Sequence, residues 1–231
     1  MVNVFSFCIY GPPNPRYYAG LIENIELIRK YYPDWLVFVY VGADVPDDFI
    51  TNLRAFPSVI LRFTKTIGAE NMINRFYAID EEGVDVMMVR DADSRVHWKD
   101  RWAINAFMKN VFYQSHTVRD NIMHSADMMG GIWGMRKNKS INIEKEYIRY
   151  KQNPADLGIG LDQSFLSACI YPLLSARMLI HYGPEEVLRK NEHGIKFPFP
   201  WTNDIYCGRI EDASFKDVDF KPQSKNFLLH H

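Results

Sequence analysis

Val84-Asp85-Val86-Met87-Met88-Val89-Arg90-Asp91-Ala92-Asp93-Ser94-Arg95 is an apolar run that ends in two aspartates one residue apart, with an arginine on either side. Five of its first six residues are apolar, three of them valine, which marks a buried strand. Asp91 and Asp93 follow where that strand emerges. Residues two apart in an extended backbone point to the same side, so both carboxylates can converge on one point. Two carboxylates at the C-terminal end of a strand suit a hard divalent cation that also holds phosphate oxygens. A short Asp-x-Asp is more often a solvated turn whose Asp caps the next helix. The rest of the chain decides between the two.

Upstream, strand and helix patterns alternate. Val2 to Tyr10 is an apolar strand stopped by Gly11-Pro12-Pro13-Asn14-Pro15. Tyr17 to Tyr32 carries a helical stripe of Leu21, Ile22, Ile25, Leu27 and Ile28. Trp35 to Val41 is a second strand, Val45 to Phe56 a short helix and Val59 to Phe63 a third strand. Asn71 to Asp80 is helical and leads into the strand at Val84. This rhythm predicts an α/β fold with a mostly parallel central sheet and helices on both faces. Such sheets bind ligands beyond the carboxyl ends of their strands. That rim would hold the Tyr10-Gly11 turn, the Val41-Gly42 turn and Asp91-Ala92-Asp93.

Downstream the pattern loosens. Asp100 to Asn110 reads as a helix and Val111 to Val118 as a strand. Met128-Met129-Gly130-Gly131-Ile132-Trp133-Gly134-Met135 reads as a strand interrupted by glycines. Ile143 to Tyr150 and Asp162 to Tyr171 are helices, and Met178 to His181 is a short strand. Beyond Pro198-Phe199-Pro200-Trp201 there is little periodicity, as expected of a tail wrapping the domain. No linker or repeat divides the chain. One domain over 1–231 is expected, with a nucleotide-binding half at 1–95, a second half at 96–185 and an irregular tail at 186–231.

Composition narrows the function classes. The 231 residues are 47% hydrophobic and 24% charged, with a net charge of −1, so nothing global favours nucleic acid or an anionic membrane. Thirteen Tyr, 15 Phe and 5 Trp suit a large core or platforms for bases and sugars. Cys8, Cys169 and Cys207 have no paired spacing, so neither a disulfide framework nor a zinc site is expected. The apolar settings of Cys8 and Cys169 suggest buried thiols. The sequence has no signal-peptide pattern and no window of membrane-spanning length, which points to a cytoplasmic setting and no secretion.

Several polar residues could join the acidic pair. Arg90 and Arg95 bracket it; either could bind a phosphate bidentately or form a structural bridge. Arg75 precedes the same strand. Adjacent glycines at 130 and 131 imply close approach of a ligand or a neighbouring chain, with His124 and Asp127 just upstream. Asp162 follows Gly158-Ile159-Gly160 at a helix start, where capping is its simplest role. His181 ends an apolar strand and could add an imidazole to two carboxylates around Mn²⁺.

Together these motifs resemble the GT-A fold glycosyltransferases that use nucleotide sugars. The likeness rests on Arg75-Phe76, Arg90-Asp91-Ala92-Asp93-Ser94-Arg95, Val118-Arg119-Asp120, His124 and Gly130-Gly131-Ile132-Trp133-Gly134. It is similar to small glycosyltransferases of bacteria and of large DNA viruses, over roughly residues 1 to 185. A more distant likeness is to the retaining glycogenin and galactosyltransferase group. The chain departs from that group in having Met129-Gly130-Gly131 for Asn-x-Gly and His181-Tyr182-Gly183-Pro184 for His-x-x-Gly-x-x-Lys.

The resemblance implies a nucleoside-diphosphate sugar donor, UDP- or TDP-linked, a hydroxyl acceptor on a glycan, and Mn²⁺ or Mg²⁺. Tyr10 and Gly11 would contact the base, and Arg75 the ribose or diphosphate. Asp93 would bind the metal, with Asp91 at the metal or ribose and His181 as a further candidate ligand. Ala92, Arg95, His124, Gly130 and Gly131 would complete the donor site. An inverting enzyme needs a carboxylate base, Asp162 first and Asp127 second. A retaining one would not need that base and would turn Asp162-Gln163 toward the reacting carbon, and both outcomes stay open. The competing classes are a sugar-phosphate nucleotidyltransferase and an inactive nucleotide-sugar-binding module. A phosphatase is disfavoured because its Asp-x-Asp normally follows the first strand.

Overall fold

Eight strands form one sheet in the order β3-β2-β1-β4-β6-β5-β7-β8. They are β1 (Val2–Ile9), β2 (Leu36–Val41), β3 (Val59–Phe63), β4 (Val84–Arg90), β5 (Ser115–Arg119), β6 (Ile132–Arg136), β7 (Met178–Tyr182) and β8 (Gly194–Lys196). The coordinates are a computed structural model that describes residues 1–155, 160–190, 192, 194–199 and 205–211. Every pairing is parallel except the two made by β6, which runs opposite to its neighbours β4 and β5. Gly158, Ile159, Pro200, Trp201 and the last twenty residues of the expected tail lie outside the described residues.

The strands are apolar on both faces because helices cover both. Phe5, Val37, Val39, Val86 and Met88 pack on one side with residues of α1 (Pro15–Tyr31), α2 (Asp47–Arg54) and α3 (Trp98–Lys109). Val4, Phe38, Met87 and Val89 pack on the other with a 3₁₀ segment (Gly68–Asp80), α4 (Ile143–Tyr150) and a helix built from α5 (Leu161–Phe165), a π turn (Leu166–Ile170) and α6 (Tyr171–Leu174). Alternate residues of one strand thus enter different layers.

The expected elements are present, with four corrections. The helical segment read over 71–80 starts at Gly68 and is a 3₁₀ helix. The β6 strand starts at Ile132, so Gly130 and Gly131 sit in the turn that enters it, not inside it. The strand read over 111–118 starts only at Ser115 and runs to Arg119. Cys8 and Cys207 are buried, but Cys169 is only half-buried.

Local chemistry explains the elements that carry the rim. Asn14 caps α1, its side chain accepting the Arg16 N–H at 3.1 Å, with Pro15 in the first turn. The buried Asn71 amide donates to the carbonyls of Ile9 at 3.0 Å and Tyr40 at 2.9 Å. It therefore pins the 3₁₀ segment to the ends of β1 and β2. Ser6 Oγ donates to the Arg75 carbonyl at 2.6 Å, fixing the same segment one turn further on.

Candidate active site

Three adjoining clefts line the C-terminal rim of the sheet. The first is walled by Cys8, Tyr10, Tyr17, Met72, Arg75, Asp91, Ala92 and Asp93. A second, of about 520 Å³, runs beside it under Gly11, the prolines at 12, 13 and 15, Asp44 and Gly68. Its size is that of small-molecule pockets in general. The third holds Arg75 and Asp91 again, with His124, Gly130, Gly131, Asp162, Gln163 and Gly208.

Arg75 is the hinge between the first and third clefts. Its side chain is 3% exposed, with Nη1 on Asp91 Oδ1 and Nη2 2.9 Å from Asp162 Oδ2. Burial alone would weaken the Arg75 charge, but Asp91, Cys8 and Asp162 more than offset it and raise its pKa. The Cys8 thiol beneath is pushed up to about 11, chiefly by burial. The Tyr10 phenol rises to about 12 for the same reason, so both stay protonated near neutrality.

The glycines make room for this clamp. A Cβ on Gly130 would overlap the Asp162 carboxylate, and one on Gly131 would overlap that of Asp91. Close approach was the sequence expectation; what approaches is the pair of carboxylates held by Arg75. Asp162 stands in the first turn of α5, where its Oδ1 accepts the Gln163 N–H at 2.9 Å.

Asp93 is held differently. Arg16 Nε donates to Asp93 Oδ2 at 2.7 Å, and Arg16 Nη2 reaches the same oxygen. Asp93 Oδ1 has no partner among the described residues. Three carboxylates and two guanidiniums thus share this part of the rim, an excess of negative charge. A diphosphate entering here needs a cation to accompany it. Two carboxylates plus phosphate oxygens and water are a usual Mg²⁺-type donor set. Among the described residues no group of three His, Cys, Asp or Glu side chains is placed to hold a metal ion. The protein's own contribution would be Asp91 and Asp93 alone.

The structure thus brings Tyr10, Gly11, Arg75, Asp91, Ala92, Asp93, His124, Gly130, Gly131 and Asp162 to one continuous groove. Three expected residues are not brought there. Arg95 is buried against α1, with Nε 2.6 Å from Glu23 Oε2. Asp127 does not line the three clefts and pairs with Arg189. His181 is fully buried, its Nδ1 3.1 Å from His116 Nε2 and its ring against Trp102 and Phe197. Burial pushes the His181 pKa down to about 3. Arg90, left open by the sequence, is structural: its Nε and Nη2 grip Asp100 at 2.8 and 2.7 Å in full burial.

Asp44 and Gly208, which line the groove, escaped the sequence reading, as did Arg16, which reaches the first cleft through Asp93. Asp44 follows a strand end and carried the signal of a polar residue after an apolar run. Gln163, read together with Asp162, lines the third cleft beside it. Gly208 comes from the tail, where nothing periodic marked it. That tail segment is tied down by Glu211 N–H to the Asp93 carbonyl at 2.9 Å and by Cys207 N–H to buried Asp120 at 3.0 Å.

The same architecture recurs among solved structures. A 4-diphosphocytidyl-2C-methyl-D-erythritol synthase from Anaerococcus prevotii aligns with a TM-score of 0.54 at 10% identity, over 82% of this chain and 90% of that one. A glycosyltransferase involved in glycosylation of the major capsid of PBCV-1 aligns at 0.51 and 15% identity, over 79% of this chain and 82% of that one. This chain has a GT-A-like fold. The glycosyltransferase GlyE of Streptococcus pneumoniae also shares it, at 0.50 and 14% identity over 76% of this chain; the match spans 43% of GlyE. No protein-family model and no curated protein matches the sequence. At these identities the likeness is one of fold. No helix among the described residues is long and apolar enough to cross a membrane.

Proposed function

We propose that the chain is a metal-dependent glycosyltransferase of the hexosyltransferase type. It would move a sugar from a UDP- or TDP-linked donor to a hydroxyl of a glycan acceptor. The observation that carries this reading is the Arg75 clamp, which joins Asp91 and Asp162 beneath Gly130 and Gly131 in a groove that continues past Asp93.

The base and ribose fit the cleft between Tyr10, Gly11 and the prolines. Asp44 lines that cleft with its Oδ2 accepting the Gly68 N–H at 2.8 Å, and its carboxylate is an acceptor of the kind a base N–H needs. The diphosphate then lies beside Asp91 and Asp93. Mn²⁺ or Mg²⁺ held there supplies positive charge to the leaving diphosphate. The donor sugar occupies the third cleft, over Gly130 and Gly131 and beside His124. Asp162 borders this space as base for an inverting transfer or as the carboxylate facing the reacting carbon in a retaining one. Three free thiols suit a cytoplasmic setting.

The likeness to the methylerythritol synthase supports a second reading, sugar-phosphate nucleotidyl transfer. The β1–α1 loop weakens it. A triphosphate needs several cations, and residues 11–16 offer only Arg16, already engaged by Asp93.

Incubation with sugar nucleotides, with and without Mn²⁺, tests the proposal through release of nucleoside diphosphate. Metal-dependent release that Asp93→Asn abolishes is expected. Pyrophosphate release from a nucleoside triphosphate and a sugar phosphate, with no donor cleavage, would establish the second reading instead. Neither activity, together with no ligand-induced thermal shift, would overturn both.

A further inference from the structure

The two carboxylates of the acidic pair are held by arginines of opposite character. Arg75 is buried and grips Asp91 and Asp162 at once, so its removal strands two negative charges. Arg16 is 42% exposed in its side chain and, among the described residues, forms an ion pair with Asp93 only, whose side chain is 11% exposed. Water and salt compete for the pair from the Arg16 side, which leaves it the weaker of the two clamps. The Arg16 guanidinium also lies 5.1 Å from the centre of the Tyr17 ring, a wall of the first cleft.

A divalent cation reaching Asp93 meets that guanidinium on the same carboxylate. Arg16 occupies Oδ2 alone, so a cation on Oδ1 repels it across one carboxylate, and the half-exposed Arg16 is the partner free to swing away. Asp91 has no such choice, since Arg75 is fixed from behind. Building on the functional reading above, we propose that Arg16 is a latch on Asp93 that opens when metal and diphosphate enter together. A metal arriving alone has to expel Arg16 into water. With a diphosphate present, the released guanidinium gains an anion beside Tyr17 that it can bind through two N–H groups. Metal and diphosphate therefore bind with positive coupling, and the coupling passes through one side chain.

Titration of the full chain with Mn²⁺, read as free Mn²⁺ by electron paramagnetic resonance, tests this with and without UDP. The variants are Arg16→Gln, Arg16→Lys and Asp93→Asn, each first checked for folding by circular dichroism. Wild type is expected to bind Mn²⁺ weakly alone and at least about tenfold more tightly with UDP. Arg16→Gln should bind Mn²⁺ alone about fivefold more tightly than wild type, as expected for loss of one partly exposed ion pair, and gain less from UDP. Arg16→Lys should fall between them, keeping the charge without the fork. Asp93→Asn should lose Mn²⁺ in both conditions. Equal Mn²⁺ affinities in wild type and Arg16→Gln, with the UDP effect intact, overturn the latch and leave the functional reading standing. Absence of Mn²⁺ binding by wild type with UDP, TDP and GDP alike overturns both.

Discussion

Gly131 packs directly against the carboxylate of Asp91, so close that a methyl group at residue 131 would overlap Asp91 Oδ2 and Cγ. Gly131→Ala must therefore push Asp91 away from Arg75 or shift the entry to β6. Overpacking of this kind costs about 1–3 kcal/mol, so the variant should still fold. Its Mn²⁺-dependent nucleoside-diphosphate affinity should fall at least about tenfold, or about 1.4 kcal/mol. Calorimetric titration checks this; unchanged affinity would remove Asp91 from the binding site.

Arg75→Met should be costly to the fold as well as to the site. It leaves Asp91 and Asp162 facing each other with no cation between them. Breaking buried pairs costs about 3–5 kcal/mol, and the lower end applies because Asp91 is 43% exposed. Urea denaturation should show the loss at low ionic strength and a smaller one in high salt, which screens the two carboxylates from each other. A loss that does not shrink with added salt would mean that carboxylate repulsion is not its cause.

The Arg90–Asp100 pair should behave as scaffold. Arg90→Met alone should destabilise by about 3–5 kcal/mol. Combining it with Asp100→Leu should restore most of that, since an apolar pair of similar volume needs no charge compensation. Nucleotide affinity of the folded double variant should match wild type. A double variant as unstable as the single one would refute the compensation.

His116 and His181 predict loss of stability in acid. Both are buried and neutral; burial holds His116 well below its ordinary 6.5 and His181 at about 3. Above pH 6.5 neither the folded nor the unfolded chain protonates them, so their contribution is fully present. Below it the unfolded chain takes up protons that the folded chain refuses, and stability falls through the window from 6.5 toward 3. The slope approaches about 1.4 kcal/mol per pH unit for each histidine. His116→Leu should lower that slope between pH 6 and 4.5 in urea denaturation, and an unchanged slope would assign the acid sensitivity elsewhere.

Much of the fold was legible because its first half follows two clear periods. The β4 run and its abrupt polar end located Asp91 and Asp93 on the rim, and Arg75 was read one element earlier. The second half was harder for physical reasons. His181 looked like a rim residue because its strand was read as ending there, yet β7 continues to Tyr182 and the three-residue β8 packs alongside. A strand that short leaves no periodic trace. Asp127 and Arg95 looked available because the sequence does not show Arg189 or Glu23 beside them. The glycine pair was read correctly as a place of close approach. Its actual neighbours, Asp91 and Asp162, lie tens of residues away and became visible only once the chain had folded.

The reversal of β6 has a consequence for how such a site diversifies. Because β6 runs against β4, Ile132 pairs with Arg90, and the glycine turn arrives beside Asp91. A parallel strand would have delivered it to the opposite edge, about 3.3 Å per residue away. The connection from Arg119 to Ile132 is therefore anchored at both ends by the sheet, with His124 and its last residues lining the third cleft. Lengthening a loop between fixed ends costs only about 0.6 kcal/mol per doubling. That stretch can therefore change length or sequence while the frame around it stays as it is.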